Sequence, residues 1–108
     1  MTYQQYDSST KHARLMRAEA GDFLKRSRMD AGLTQRELAE RLDLKYYTFI
    51  SQVENGQGRL PPKLWVKTAK ALGKDVRDFA LSMLSYYDPH AWMAITQQEE
   101  LKEGTNGY

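Results

Sequence analysis

Apolar residues recur at helical spacing along most of the chain, and polar or glycine-containing breaks cut them into short runs. Residues 1–10 lack that periodicity and predict a loose arm, after which Ser9 or Thr10 can cap a helix beginning at Lys11. Leu15, Ala18, Phe23, Leu24 and Met29 give this helix an approximate stripe up to Asp30. Gly21 falls in mid-run, where glycine costs about 1 kcal/mol relative to alanine. The pattern therefore fits one long helix or two pieces joined near Gly21 and Asp22, with Gly32 closing it. Thr34-Gln35-Arg36-Glu37 has the form of a capping box and opens a second helix with Leu38, Ala39 and Leu42 on one face. Asp43, Leu44 and Lys45 break the pattern. Phe49, Ile50 and Val53 mark a third helix, closed by Gly56. After a loop over 57–60, Pro61-Pro62 starts a fourth helix with Leu64, Trp65, Thr68, Ala69 and Leu72 as its stripe and Gly73 at its end. Asp75 caps a fifth, whose Val76, Phe79, Ala80, Met83, Leu84 and Tyr87 keep helical spacing until Pro89. No segment alternates as a strand does, so the sequence predicts an all-α domain of five helices.

Composition narrows the class. With 108 residues there is room for one domain, and 41% hydrophobic against 28% charged residues is the balance of a folded soluble chain. There is no cysteine, hence no disulfide framework and no cysteine-based zinc or thiol chemistry. No apolar run is long enough for a membrane span, and the polar N-terminus lacks a secretory h-region, which points to the cytoplasm. Net charge is only +2, but residues 1–87 hold fifteen Lys/Arg against ten Asp/Glu, while residues 88–108 hold one Lys against four acids. A basic body with an acidic tail suits a polyanion partner. His12 and His90 lie far apart in sequence without other metal ligands nearby, so neither a metal nor a cofactor is expected. No nucleophile elbow, phosphate-cradling loop or acid–base pair is visible, and an enzyme is not expected.

The informative stretch is 34–56. A short capped helix, a tight break and a second short amphipathic helix make the sequence form of helix-turn-helix. Ala39 sits where a larger side chain would push the two helices apart. Inward positions of the second helix are Phe49 or Ile50 and Val53. Tyr46, Tyr47, Thr48, Ser51 and Gln52 are outward, polar or aromatic, and suited to a DNA major groove.

The run Leu24…Arg28…Gly32-Leu33-Thr34-Gln35-Arg36-Glu37-Leu38-Ala39…Leu42…Val53-Glu54-Asn55-Gly56…Pro61…Leu64…Ala69…Ala71-Leu72-Gly73 resembles the Cro/phage-repressor (XRE) family of helix-turn-helix proteins. The resemblance implies a compact lambda-repressor-like domain over 11–88, with its motif at 34–56, that binds double-stranded operator DNA as a dimer. It implies that Tyr47, Thr48 and Gln52 read bases, with Lys45, Tyr46 and Ser51 as further recognition-helix contacts. Gln35, Asn55 and Gln57 are implied at phosphates, and Arg59, in the loop that follows, is the best additional phosphate candidate. Arg28 and Glu54 match an ion pair of the family. The chain departs from the family pattern in two ways. It is one residue longer between Leu42 and Glu54, and Asp43 stands where the turn glycine is usual.

Residues 89–108 lie beyond the resemblance and read as a C-terminal extension, polar and disordered from 96 onward. Leu81, Tyr86, Trp92, Met93 and Ile95 are apolar residues left over once the core stripe is assigned. They are the expected dimer surface, for a homodimer or a heterodimer with a related protein. The alternative is that 90–95 folds back over Trp65 or Phe23. The functional expectation is a transcriptional repressor at an inverted-repeat operator. The rival is an antitoxin-type module whose C-terminal segment binds a toxin.

Overall fold

The computed structural model describes the backbone over residues 2–106 and side chains over residues 11–97. Six helices and one 3-10 turn follow in order: α1 (Thr2–Asp30), α2 (Gln35–Arg41), α3 (Thr48–Glu54), the turn Pro62–Leu64, α4 (Trp65–Ala71), α5 (Val76–Tyr87) and α6 (Pro89–Asn106). No strand occurs among the described residues.

Four of the breaks share one geometry. At the end of α1, the Gly32 N–H donates to Met29 O and the Leu33 N–H to Arg28 O. The same crossed pair of bonds ends α2 at Asp43 and Leu44, α3 at Gly56 and Gln57, and α4 at Gly73 and Lys74. Each requires a left-handed residue, with φ of 75°, 57°, 78° and 67° at Gly32, Asp43, Gly56 and Gly73. Asp43 is the one non-glycine among them. Its carboxylate is held by Lys67 Nζ of α4 at 2.7 Å, which fastens the turn to the scaffold from outside.

α1 is one helix across Gly21, and the reason is packing. A Cβ there would overlap the carbonyl oxygen of Val53 and come 2.5 Å from that of Glu54, so the missing side chain is what lets α1 lie against the end of α3. The buried face of α1 is Ala20, Gly21, Leu24, Ser27 and Arg28, whereas Leu15 and Met29 are exposed. Of the expected stripe only Leu24 is fully buried and Phe23 half-buried, because the rest of the contact face is made of small or polar residues. α1 also begins at Thr2 rather than Lys11, with Ser9 and Thr10 inside the helix rather than at its cap. The backbone is thus helical over 2–10 and 96–106, where the sequence predicts a loose arm and a disordered tail, while the side chains of residues 1–10 and 98–108 lie outside the described residues.

Leu24, Leu38, Leu42, Ile50, Val53, Leu60, Thr68, Phe79 and Met83 form the interior, closed by Ala20, Ala39 and Ala69 where helices approach. Ile50 is fully buried and Phe49 only half-buried, which decides between the two as the inward residue of α3. A sixth helix replaces the expected extension. Asp88 ends α5 and starts α6, accepting from the Ala91 N–H through Oδ1 at 3.2 Å, and Pro89 suits the first helical position.

Candidate nucleic-acid interface

α2 starts on a complete capping box. The Glu37 N–H donates to Thr34 Oγ1 at 3.1 Å, and the Thr34 N–H donates to Glu37 Oε1 at 2.8 Å. Thr34 holds the Glu37 carboxyl below its ordinary pKa, chiefly through that backbone N–H, with Arg41 adding to the effect. Asp43 is lowered likewise, by its hydrogen bond to Lys67 and by the charge of that lysine.

α3 has no side-chain cap. Tyr47 occupies the N-cap position in a helical conformation, φ −72° and ψ −15°. What holds this end is a contact across the turn: the Arg36 guanidinium of α2 lies 4.6 Å from the Tyr47 ring centroid. Lys45 Nζ stands 5.4 Å from the Tyr46 ring in the same loop. Such stacking contributes about 0.5–1 kcal/mol at exposed positions. Ile50 and Val53 anchor α3 on the core, which leaves Thr48 and Gln52 exposed and Ser51 half-buried. Tyr46 and Tyr47 are 63% and 39% exposed, so neither is a core residue.

The other end of α3 is tied to α1 and α2. Arg28 Nε and Nη2 donate to Glu54 Oε2 and Oε1 at 2.7 and 3.1 Å, and Arg28 Nη1 donates to Leu33 O at 2.7 Å. Gln35 Nε2 donates to Glu54 Oε1 at 2.9 Å. An amide nitrogen carries two hydrogens, so the second N–H of Gln35 remains for an acceptor outside. Gln35, Thr34, Arg36 and Tyr47 line one open groove of about 460 Å³ whose floor is Arg28 and Leu33.

Beyond α3, Asn55 and Gln57 are exposed on either side of Gly56, where an added Cβ would come within 3.0 Å of the Ala18 backbone. Arg59 does not project freely. Its Nη2 donates to Tyr87 O at 3.3 Å, and its guanidinium lies 4.7 Å from the Tyr87 ring centroid. The Tyr87 hydroxyl accepts from the Leu60 N–H at 3.0 Å, and Leu60 O accepts from Trp65 Nε1 at 2.9 Å, so the loop after α3 is stapled to α4 and α5. Burial raises the Tyr87 pKa, against the Leu60 N–H and the nearby Arg59 and Arg17.

The residues assigned to DNA from sequence thus fall into four places: Gln35 beside Arg36, the turn before α3, the exposed face of α3, and the turn after it. Lys45, Tyr46 and Tyr47 precede the helix rather than lying on it, because α3 begins only at Thr48. Arg36 was missed, because its meeting with Tyr47 depends on the turn geometry and leaves no spacing signal. Of the residues assigned to a dimer surface, Leu81 and Trp92 are half-buried, and Met93 and Ile95 are 46% and 45% exposed. Tyr86 packs on Phe23 within the chain, ring centroids 5.8 Å apart. His12 and His90, distant in sequence, line one groove together.

A helix-turn-helix family profile matches residues 24–79, more than half of the chain. The chain belongs to the XRE-type helix-turn-helix family. Members of this family are DNA-binding transcription regulators rather than enzymes, and this chain is one. Among solved structures it resembles the clp gene regulator ClgR from C. glutamicum at 29% identity and a TM-score of 0.54, over 67% of this chain and 91% of that one. No curated protein sequence is significantly similar to it. Among the described residues no helix is long and apolar enough to cross a membrane.

Proposed function

We propose that the protein is a repressor that binds an inverted-repeat operator as a two-fold dimer, with α3 of each copy in a major groove. The observation that carries this reading is the division of α3. Ile50 and Val53 are fully buried on one side, and Thr48 and Gln52 are exposed on the other. A helix held so firmly by one face presents hydrogen-bonding groups to base edges at low entropic cost.

In this reading Tyr47, Thr48 and Gln52 contact bases, with Lys45, Tyr46 and Ser51 at the margins of the groove. Gln35, Asn55, Gln57 and Arg59 contact phosphates and set the register. One α3 reads only a few base pairs, so a second copy is needed for useful specificity. Met93 and Ile95 on α6, with Trp92 and Leu81 beside them, form the surface proposed for that copy, either identical or closely related. The regulator of clp genes that the chain resembles supports the regulatory role. Such a protein works on DNA in the cytoplasm, at the nucleoid.

Selection of bound sequences from randomised duplexes tests the proposal. Enrichment of an inverted repeat with half-sites about one helical turn apart supports it. Binding without enrichment makes the chain an architectural DNA binder instead.

A further inference from the structure

We propose that the groove where α1 passes the junction of α5 and α6 binds a small organic carboxylate. Its volume is about 230 Å³ and its apolar walls are Ala13, Met16, Tyr86 and Pro89. Arg17, Arg59, His12 and His90 stand around it. Among the described residues Arg17 meets no carboxylate, and the salt bridges formed there involve other residues. The Arg59 guanidinium gives one N–H to a neutral carbonyl and rests on a ring, which leaves further donors of its planar fork unspent. The Tyr87 hydroxyl accepts from Leu60 and keeps its own proton to donate. Arg59 lies on the Tyr87 ring, and Arg17 lines the same groove from α1.

Asp88 is the one carboxylate in the lining, and its Oδ1 is engaged by the Ala91 N–H at the start of α6. The groove therefore offers fixed positive charge and hydrogen-bond donors beside an apolar floor. That combination selects an anion carrying an apolar body, because a bare phosphate would leave the Met16, Tyr86 and Pro89 walls unfilled. A metal ion is a poor fit, since among the described residues no three His, Asp or Glu side chains converge as a metal site requires. The site shares Arg59 with the DNA-binding reading, but Arg17 belongs to this groove alone and the test uses no DNA, so the two can fail separately.

The test is a titration of the full chain with benzoate, followed by amide chemical shifts, with benzamide as the neutral isostere and inorganic phosphate as the anion without an apolar body. Saturable shifts confined to 12–17, 86–90 and the loop at Arg59, at least tenfold weaker with benzamide and with phosphate, are the expected result. Arg17→Gln should weaken benzoate at least tenfold with an unchanged thermal melt. Met16→Glu, which adds a carboxylate to the wall, should do the same if Arg17→Gln proves unstable. No saturation, equal binding of benzamide, equal binding of phosphate, or undiminished binding by both folded variants would overturn the proposal.

Discussion

Arg28 and Glu54, 26 positions apart, form a two-point ion pair in the interior, with side chains only 10% and 2% exposed. Glu54 ends the helix assigned to base reading, so this pair fixes the position of α3 against α1. Gln35 shares the same carboxylate, which joins the start of α2 to the network.

Removing one partner leaves the other charge buried and unpaired, at a cost of about 3–5 kcal/mol. Arg28→Ala and Glu54→Ala should each lower stability by that order in urea melts. The double variant should lose clearly less than the sum. Additive losses would mean that the two side chains do not depend on each other.

Gly21→Ala should destabilise, although alanine is the better helix former by about 1 kcal/mol. The added Cβ meets backbone oxygens of Val53 and Glu54, which cannot rotate away. A net loss of about 1–3 kcal/mol or more follows from forcing α1 off α3. Gly32→Ala is the control. Unlike the helical Gly21, that glycine is left-handed, but nothing lies within 4 Å of its would-be Cβ, so only the conformational cost of about 1–2 kcal/mol applies. A stabilised Gly21→Ala would show that the close crossing of α1 and α3 is wrong.

These two cases show where the sequence was legible. The capping box, the glycine stops and the apolar stripes of α2 to α5 are local signals, and they gave the motif and the fold class. The contact face of α1 was hidden because Gly21, Ser27 and Arg28 do not register as hydrophobic. The sixth helix was hidden because Pro89 reads equally as a stop and as a first-turn residue. The Arg36–Tyr47 stack and the Arg59–Tyr87 staple are meetings between elements, set by turns whose geometry the residue spacing does not encode. Residues for DNA contact came from the family motif, which marks positions on α3 but not what holds them there.

Stability should fall with acid through Glu37 and Asp43. Both carboxyls have folded-state pKa values below their ordinary 4.5 and 3.8, held down by Thr34 and by Lys67. Their contribution is therefore complete above those ordinary values and is lost as pH falls through the lower folded ones. Glu37→Gln keeps an oxygen to accept from the Thr34 N–H but cannot titrate. Melting temperatures between about pH 5 and about pH 2 should decline less steeply in Glu37→Gln than in the wild type. Parallel curves would mean that the capping carboxylate is not part of the acid response.

The dimer surface is tested by Met93→Lys combined with Ile95→Lys. Both side chains are about half exposed, so the fold of one copy should survive. Sedimentation should show a dimer for the wild type and a monomer for the variant. A variant that stays dimeric would place the interface elsewhere.

Arg59→Ala should weaken binding to all duplexes roughly equally and reduce the salt dependence by about one phosphate contact. Its contacts to Tyr87 make a thermal melt a necessary control. A loss confined to one sequence would move Arg59 from phosphate contact to base reading.

The central claim is that the exposed face of α3 chooses the DNA sequence. The direct measurement is the affinity of wild type, Thr48→Ala and Gln52→Ala for a selected duplex and for its scrambled form at fixed salt. Each substitution should cost about 1–3 kcal/mol on the selected duplex and little on the scrambled one. Equal losses on both duplexes, or no loss on either, would contradict the assignment of α3 as the reading helix.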